Sequence, residues 1–420
     1  MAFNFSQAFL ELLGNVAKEK LSEKAGVHGT GLDWFLKISE HLLYERGEVQ
    51  LVLSGDKSKD RFLNQDPVSI LSQYHAERPI HPGLPYVEVV DFVKPWLEKG
   101  SVSIKIEPKA EAFALERFAS PNTRALQKEA LQRMQEVKRM TRDSRTVRLS
   151  GWHGEPSNIV LQIQQAAYSQ QVQSNLVLDY AGDGKLGASL RELLIDEFGG
   201  RLPGLDDRRL VNSLGVAILV FFWDTDAKGH GHWAPFWVPR TRDTAVFNYA
   251  EWHCSASGAA EWPLPDDRTP ETFEDYILDD LWNELEEEIG LYPEDFSERI
   301  VGSPLIPMAL CREMIRGGKP QLFFAGFVNI GRQALVERMN DARLKLARKR
   351  KQMNTPEPIE VFPYPKFMTP KVFGDPDSVA VGYQDAQFTS EGAACLYYAY
   401  RLLGGLRERI SNHGGKNDEG

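Results

Sequence analysis

The sequence predicts an α/β protein of the α+β kind, in which paired strands precede a strongly acidic helix and a mixed helix–strand region comes before them. Two observations carry this. From Thr146 the pattern becomes strand, turn, strand: Val147 to Leu149 and Asn158 to Gln164 frame a Gly-Glu-Pro turn, and Leu214 to Trp223 with DTDAKGHGHWAPFWVP reads as a second hairpin. Then TPETFEDYILDDLWNELEEEIGL, Thr269 to Leu291, places Phe273, Ile277, Leu278, Leu281, Trp282, Leu285 and Ile289 at helical spacing.

Taken in order, the chain opens on MAFNFSQAFLELLGNVAKEKLSEKAG, an amphipathic helix ending near Gly26. Asn4, Gln7 and Glu11 interrupt its apolar part and no basic segment precedes it, so it does not read as a signal peptide. Trp34 to Leu43 is expected helical, and Val49 to Leu53 a short strand closing at Ser54 to Asp56. A Pro-rich loop spans Arg78 to Tyr86, and Val87 to Leu97 is a strand or short helix limited by Pro95. Ser101 to Ile106 alternates like a strand. Pro121 to Arg142 is a polar, basic helix with Leu126, Ala130, Met134 and Val137 on its buried side, suited to join two halves. After the acidic helix come a segment at Arg299 to Val301, a strand at Gln321 to Val328, a charged helix from Gly331 to Lys351 and an amphipathic helix from Thr389 to Leu403. The expected division is a domain of unassigned role at 1–145, a second domain at 146–405 and a disordered tail at 406–420.

Composition bounds the function. Hydrophobic content of 42% and charged content of 26% are ordinary for a globular protein. A net charge of −10 argues against nonspecific nucleic-acid binding, while leaving room for a phosphorylated small molecule held through a metal. Cys254, Cys311 and Cys395 lie far apart without a CxxC pair, which fits a reducing compartment. No apolar run reaches the length of a membrane span. A cytoplasmic protein with no membrane partner is expected; the oligomeric state stays open, a homodimer included.

The acidic helix is costly. Nine of the eighteen residues from Glu271 to Glu288 are Asp or Glu, and none is Lys or Arg. At 100° per residue, Asp280, Glu284, Glu287 and Glu288 fall on one stripe bordering the apolar face. Like charges at i,i+4 cost about 0.2–0.5 kcal/mol per pair. A divalent cation would turn this repulsion into coordination.

NELEEEIGL, Asn283 to Leu291, resembles the tail of the Nudix box, Gx5Ex7REUxEExGU with U aliphatic: Glu284, Leu285, Glu287, Glu288, Gly290 and Leu291 match it. Asn283 stands where the family has Arg. Counted without gaps, Asp275 takes the place of the early Glu and Thr269 that of the early Gly; aligning TPE with the turn into the box helix instead requires about two extra helical turns. SASGAAEW, Ser255 to Trp262, looks like the Gly-rich strand end before that helix. The resemblance implies a Nudix-like α/β/α sandwich with a mixed sheet, and Mg²⁺- or Mn²⁺-dependent hydrolysis of the phosphoanhydride in a nucleoside diphosphate linked to another moiety. It makes Glu284, Glu287 and Glu288 metal ligands, with Glu284 or Glu287 helping to activate water, and turns a backbone carbonyl of Gly258 toward the metal. Asp280 joins them from the helix projection. Arg312, Arg316 and Lys319, around a Gly-Gly turn, would face the substrate. A nucleotide sensor without turnover and a purely structural protein are the alternatives; the missing box Arg favours the sensor.

Other patterns read more plainly. GDGKLG, Gly182 to Gly187, has GxGxxG spacing between a candidate strand at Asn175 to Asp179 and a helix at Ala188 to Phe198, yet no strand ending in an acidic residue follows about twenty residues on, so it is read as a turn. His230 and His232 would share a strand face, but read as a polar hairpin tip. His253 and Cys254 are adjacent and would point apart on a strand. Six of the nine residues from Arg343 to Lys351 are basic and read as a solvated helix.

Overall fold

Two apolar runs, Gly215–Thr225 and Lys319–Val328, lie side by side and parallel at the centre of the fold. The structure is a computed structural model that describes residues 67–118, 120–136, 143–179, 189–225, 231–239, 252–263, 270–296, 304–351 and 389–414. All of them belong to one structural unit, Val49–Gly420.

In chain order the elements are α1 (Pro67–Gln73), β1 (Pro79–His81), β2 (Leu84–Asp91), α2 (Val93–Lys99), β3 (Ser103–Pro108), α3 (Pro121–Glu136), β4 (Arg145–Glu155), β5 (Asn158–Ala167), α4 (Tyr168–Val172) and α5 (Leu190–Glu197). They continue with β6 (Gly215–Thr225), β7 (Gly231–Phe236), β8 (Val238–Pro239), β9 (Trp252–His253), β10 (Ala256–Ala259), a π-helical turn at Glu274–Leu278 that runs into α6 (Asp279–Ile289), β11 (Leu305–Glu313), β12 (Lys319–Val328), α7 (Arg332–Lys351) and α8 (Ser390–Gly414). Seven strands form a mixed sheet ordered β1-β2-β11-β12-β6-β10, with β7 also paired to β6. The β12–β6 pair is parallel and the other pairs are antiparallel. A second sheet is ordered β3-β5-β4, and β8 pairs with β9.

Strand alternation sends successive side chains to opposite faces, and β6 and β12 are apolar on both. Val216, Ile218, Val220 and Phe222 of β6 join Leu322 and Phe324 of β12 in one core. That core packs on Leu281, Leu285 and Ile289 of α6, on Leu335 and Met339 of α7, and on Val147, Leu149, Ile159, Leu161 and Ile163 of the second sheet. Ala217, Leu219 and Phe221, with Phe323, Ala325 and Phe327, face the other way, against Ala393 to Leu403 of α8 and Val93 and Trp96 of α2. At about 1.5–3 kcal/mol per fully buried large side chain, each face stabilises the strands between them. Continuous apolar runs mark strands covered on both sides.

The expected hairpins are present as β4–β5 and β6–β7. Val87 to Leu97 divides into strand and helix, with Pro95 in the first turn of α2, where its missing N–H costs nothing. Three expectations need correction. Strand pairing crosses the boundary set near residue 145: β2 pairs β11 and β3 pairs β5, so residues before 145 complete both sheets. Asn175 to Asp179 is a run of turns rather than a strand, because the Asn175 side chain bonds Asn212 and the Arg316 carbonyl and holds the chain folded back. The tail expected to be disordered from 406 is helical through Gly414, as a continuation of α8. Leu305–Glu313 is a strand that the sequence reading did not assign. The readings placed on residues 1–66, Gly182 to Gly187, His230 and Arg299 to Val301 lie outside the described residues.

Candidate functional site: an acidic helix against an edge strand

The acidic helix starts where Thr272 and Asp275 bond reciprocally: the Asp275 N–H donates to Thr272 Oγ1 at 3.2 Å, and the Thr272 N–H donates to Asp275 Oδ2 at 2.8 Å. This is capping-box logic. It occupies Asp275, the residue that stands at the early Glu of the box. Thr269, the cap expected from the sequence, lies outside the described residues. The π turn follows, with the Asp279 N–H donating to the Glu274 carbonyl. It changes the helical phase, so Tyr276, outside the expected apolar face, is buried beside Phe273 and Ile277. Gly290 ends α6 in the left-handed conformation (φ 67°, ψ 35°), as the sequence suggested.

One side of α6 runs along β10, the end strand of the large sheet. Three contacts, four residues apart on the helix, fix this edge. The Glu261 N–H donates to Asp280 Oδ2 at 2.5 Å. Glu284 lies so close to Gly258 that a Cβ there would meet its Oε1 at 2.2 Å. The Ser257 N–H approaches Glu288 Oε2 at 3.4 Å. A methyl group at 258 would therefore meet the Glu284 side chain and push it aside. Glu287 is exposed on the neighbouring helix position, as is Asn283. Asp280, Glu284 and Glu288 thus face the β10 segment around Gly258, with Glu287 exposed one helix position to the side.

The electrostatics are one-sided. Burial is the largest cause that lifts the Glu284 pKa well above the usual carboxylate range, and the negative charges of Glu288, Glu287, Asp280 and Glu261 raise it further. Burial also pushes Asp280 up to about 7, against the opposing hydrogen bond from Glu261. As the side chains stand, no group of three or more His, Cys, Asp or Glu among the described residues forms a ready cation cage. The oxygens lie spread along β10. They are nonetheless carboxylate oxygens on one helix face beside Gly258, which is the donor chemistry Mg²⁺ and Mn²⁺ take.

The basic residues expected to face a substrate lie across the sheet. Lys319 is buried, and its Nζ donates to Gln321 Oε1 at 3.0 Å. Gln321 Nε2 donates to Glu391 Oε1 at 2.8 Å, and Ser390 Oγ donates to Glu313 Oε1 at 3.1 Å. Arg316 pairs with Glu313 at 3.5 Å. Gln321, Glu313 and Lys319 alternate onto the face covered by α8, whose first turn carries Ser390 and Glu391. Arg312 bonds the Gly318 carbonyl at 2.9 Å and the Pro203 carbonyl. It is therefore spent on holding the Gly-Gly turn, which corrects its expected substrate-facing role. Carbonyls that converge on one guanidinium through folding leave no trace in local sequence.

The sequence reading missed Glu261, Ser257, Glu391 and Thr389, and it set His253 aside. Glu261 and Ser257 do lie in SASGAAEW, so the signal was proximity to the glycine. The α8 residues carry no such signal, being more than a hundred positions away. Searches against known families and curated proteins give no family match for the chain and no significant match to a curated protein.

Proposed function

We propose that this protein is a divalent-cation-dependent hydrolase that cleaves the phosphoanhydride of a nucleoside diphosphate linked to another moiety, on a Nudix-like α/β/α sandwich. The observation that carries the reading is Glu284: a half-buried carboxylate seated on a glycine, its pKa raised by burial and by four further acids around it. Removing a carboxylate from water among like charges is unfavourable unless a cation joins it. Glu284, Glu287 and Glu288 would hold Mg²⁺ or Mn²⁺, with Asp280 beside them. A bound cation would neutralise the diphosphate and supply hydroxide near neutral pH.

The chain's own contribution is positional and acid–base. Glu284 or Glu287 accepts the proton of the attacking water, a carboxylate with a raised pKa being suited to that exchange. Gly258 keeps the strand surface low enough for Glu284 to stand beside it. Arg316 and Lys319 are the candidate cations for the substrate's phosphates, reached by exchanging their present acidic and amide partners. A second reading, nucleotide sensing without turnover, is favoured by Asn283 in the place of the box Arg.

Glu284→Gln and Glu287→Gln test the reading in the full chain, with a panel of nucleoside diphosphate sugars, dinucleotides and nucleotide cofactors. With Mg²⁺ or Mn²⁺, wild type is expected to release a nucleoside monophosphate, and each variant to lose about 10²-fold or more of that rate. Gln is a good helix former, so the fold is expected to persist, and cation-induced thermal stabilisation to fall. Ligand-dependent stabilisation without turnover selects the sensor. Unchanged turnover and cation response in Glu287→Gln overturns the catalytic assignment.

A further inference from the structure

At one end of the large sheet, on the face covered by α8, the apolar surface gives way to buried polar side chains. Tyr86 of β2 and Glu313 of β11 are cross-strand partners there, so their side chains share that face. The Tyr86 ring packs edge-on against Phe323, 5.6 Å between centroids, and the residue is 0% exposed. Its hydroxyl has no hydrogen-bond partner among the described residues. Glu313 spends one oxygen on Ser390, at the start of α8, at 3.1 Å. The other lies 3.5 Å from Arg316 Nε, in ionic contact but without a hydrogen bond.

Arg316 comes from the turn between β11 and β12, and its backbone is held in place. Its carbonyl accepts Asn175 Nδ2 at 2.9 Å and the Lys319 N–H at 3.3 Å. Its side chain is 15% exposed, so it borders solvent where Tyr86 does not. Burial works against its charge, and Glu313, Glu391, Tyr86 and Tyr168 together outweigh that effect. Tyr168, the half-buried first residue of α4, is thus the second phenol beside this guanidinium. Its hydroxyl also makes no hydrogen bond among the described residues.

The cluster is balanced in charge and unbalanced in hydrogen bonds. Arg316 and Lys319 match Glu313 and Glu391. Burial lifts the Tyr86 pKa well above the usual phenol range, and Glu313 and Glu391 lift it further. Burial lifts Tyr168 too, against the opposing charge of Arg316. Both phenols therefore stay protonated and act as donors. Two O–H groups want an acceptor and one carboxylate oxygen wants a donor. An anion accepts only, and adds negative charge beside two glutamates. An ammonium donates only, and adds positive charge beside Arg316. A hydroxyl group accepts and donates at one oxygen and changes no charge.

We propose that Tyr86, Tyr168 and Glu313 bind the hydroxyl groups of a neutral sugar or polyol, the two phenols donating to its oxygens and Glu313 accepting from it, with Arg316 kept in its pair with Glu313. The inference does not rest on the cation site proposed above, which lies on the other face of the sheet.

The test is saturation-transfer NMR on the full-length protein in metal-free buffer, with D-ribose, D-glucose and myo-inositol as probes and inorganic phosphate as the competing chemistry. Thermal melting without ligand is recorded on the same samples. At least one of the three is expected to bind wild type. Tyr86→Phe and Tyr168→Phe are each expected to weaken it about three- to tenfold, and Glu313→Gln about tenfold or more, since that bond has a charged acceptor. Melting separates binding from structure. An unpaired buried hydroxyl costs stability, so Tyr86→Phe is expected to melt at the same temperature as wild type or higher while binding falls. A lower melting temperature in Tyr86→Phe overturns the proposal, because the hydroxyl then supports the fold. No saturation transfer to any of the three probes overturns it as well, as does equal affinity in wild type and both Phe variants. Phosphate that binds more tightly than every probe and is lost in Tyr86→Phe overturns the neutral ligand and returns Arg316 to the phosphate role named above. If Glu313→Gln does not fold, the two Phe variants decide the matter.

Discussion

Arg191 and Glu284 face opposite kinds of surroundings. Arg191 is 1% exposed, and all five of its N–H donors find acceptors. Nε and one terminal nitrogen grip Asp179 at 2.7 and 2.9 Å, and the other bonds Tyr74 Oη at 3.0 Å and the Met314 carbonyl at 2.9 Å. The last donor meets the Ile315 carbonyl. These contacts join α1, the turns before α5 and the β11–β12 turn at one point. Around Glu284 every charge that shifts its pKa is negative, and the close neighbour is a bare glycine. A fully matched buried ion specifies structure. A carboxylate kept among other carboxylates makes the folded state less stable than it could be, which selects for a ligand that supplies the missing charge. Lys319 and Arg316 are likewise matched, Lys319 with Gln321 and Arg316 with Glu313.

The largest effect is expected from Arg191→Met. It strands Asp179 in the interior and releases two carbonyls, so a loss of about 3–5 kcal/mol is expected in urea unfolding. The loss should be the same with and without Mg²⁺. A loss no larger than that of an exposed pair, about 0–1 kcal/mol, would erase the contrast drawn here.

Next comes pH. Asp280 moves from an ordinary 3.8 to about 7 on folding, and Glu284 moves in the same direction. The folded state therefore binds more protons than the unfolded chain between those values. The resulting stability is fully present below the unfolded pKa and is lost as pH rises through about 7. Metal-free protein should accordingly melt at a higher temperature near pH 5 than near pH 8, a difference on the order of a few kcal/mol at most. Saturating Mg²⁺ should stabilise at pH 8 and act little at pH 5, where protons compete for the same oxygens. Melting curves that rise with pH in metal-free buffer would reverse the assigned sign.

Gly258→Ala should act more locally. The added methyl group must displace Glu284 or lift β10, at about 1–3 kcal/mol, and Mn²⁺ affinity should fall with it. Stability lost with affinity intact would make Gly258 a packing residue and detach it from the cation site.

The acidic stripe was legible because it is a property of one helix. Asp280, Glu284, Glu287 and Glu288 are separated by helical spacings, so a projection from the sequence puts them together and the fold has only to keep the helix. The hairpins β4–β5 and β6–β7 were legible for the same reason, since turn residues join partners that are close in sequence. The place of β2 beside β11 was not, because pairing across more than two hundred residues leaves no local pattern. Arg312 misled for a related reason: a basic residue beside Gly-Gly looks available until the carbonyls of Gly318 and Pro203 close on it.

The sequence by itself determined the α/β class, the acidic helix with its left-handed glycine stop, and four carboxylates on one side, since each follows from dihedral preference and periodicity over a few turns of chain. Only the tertiary structure decided that β10 is the strand those carboxylates meet, that Glu261 joins them, and that His253 reaches Thr389 from 136 positions away. Those facts arise from burying both faces of β6 and β12 at once. That is a long-range requirement: it brings α6 and α8 to opposite sides of the same sheet, with β10 between them paired to β6 along its length.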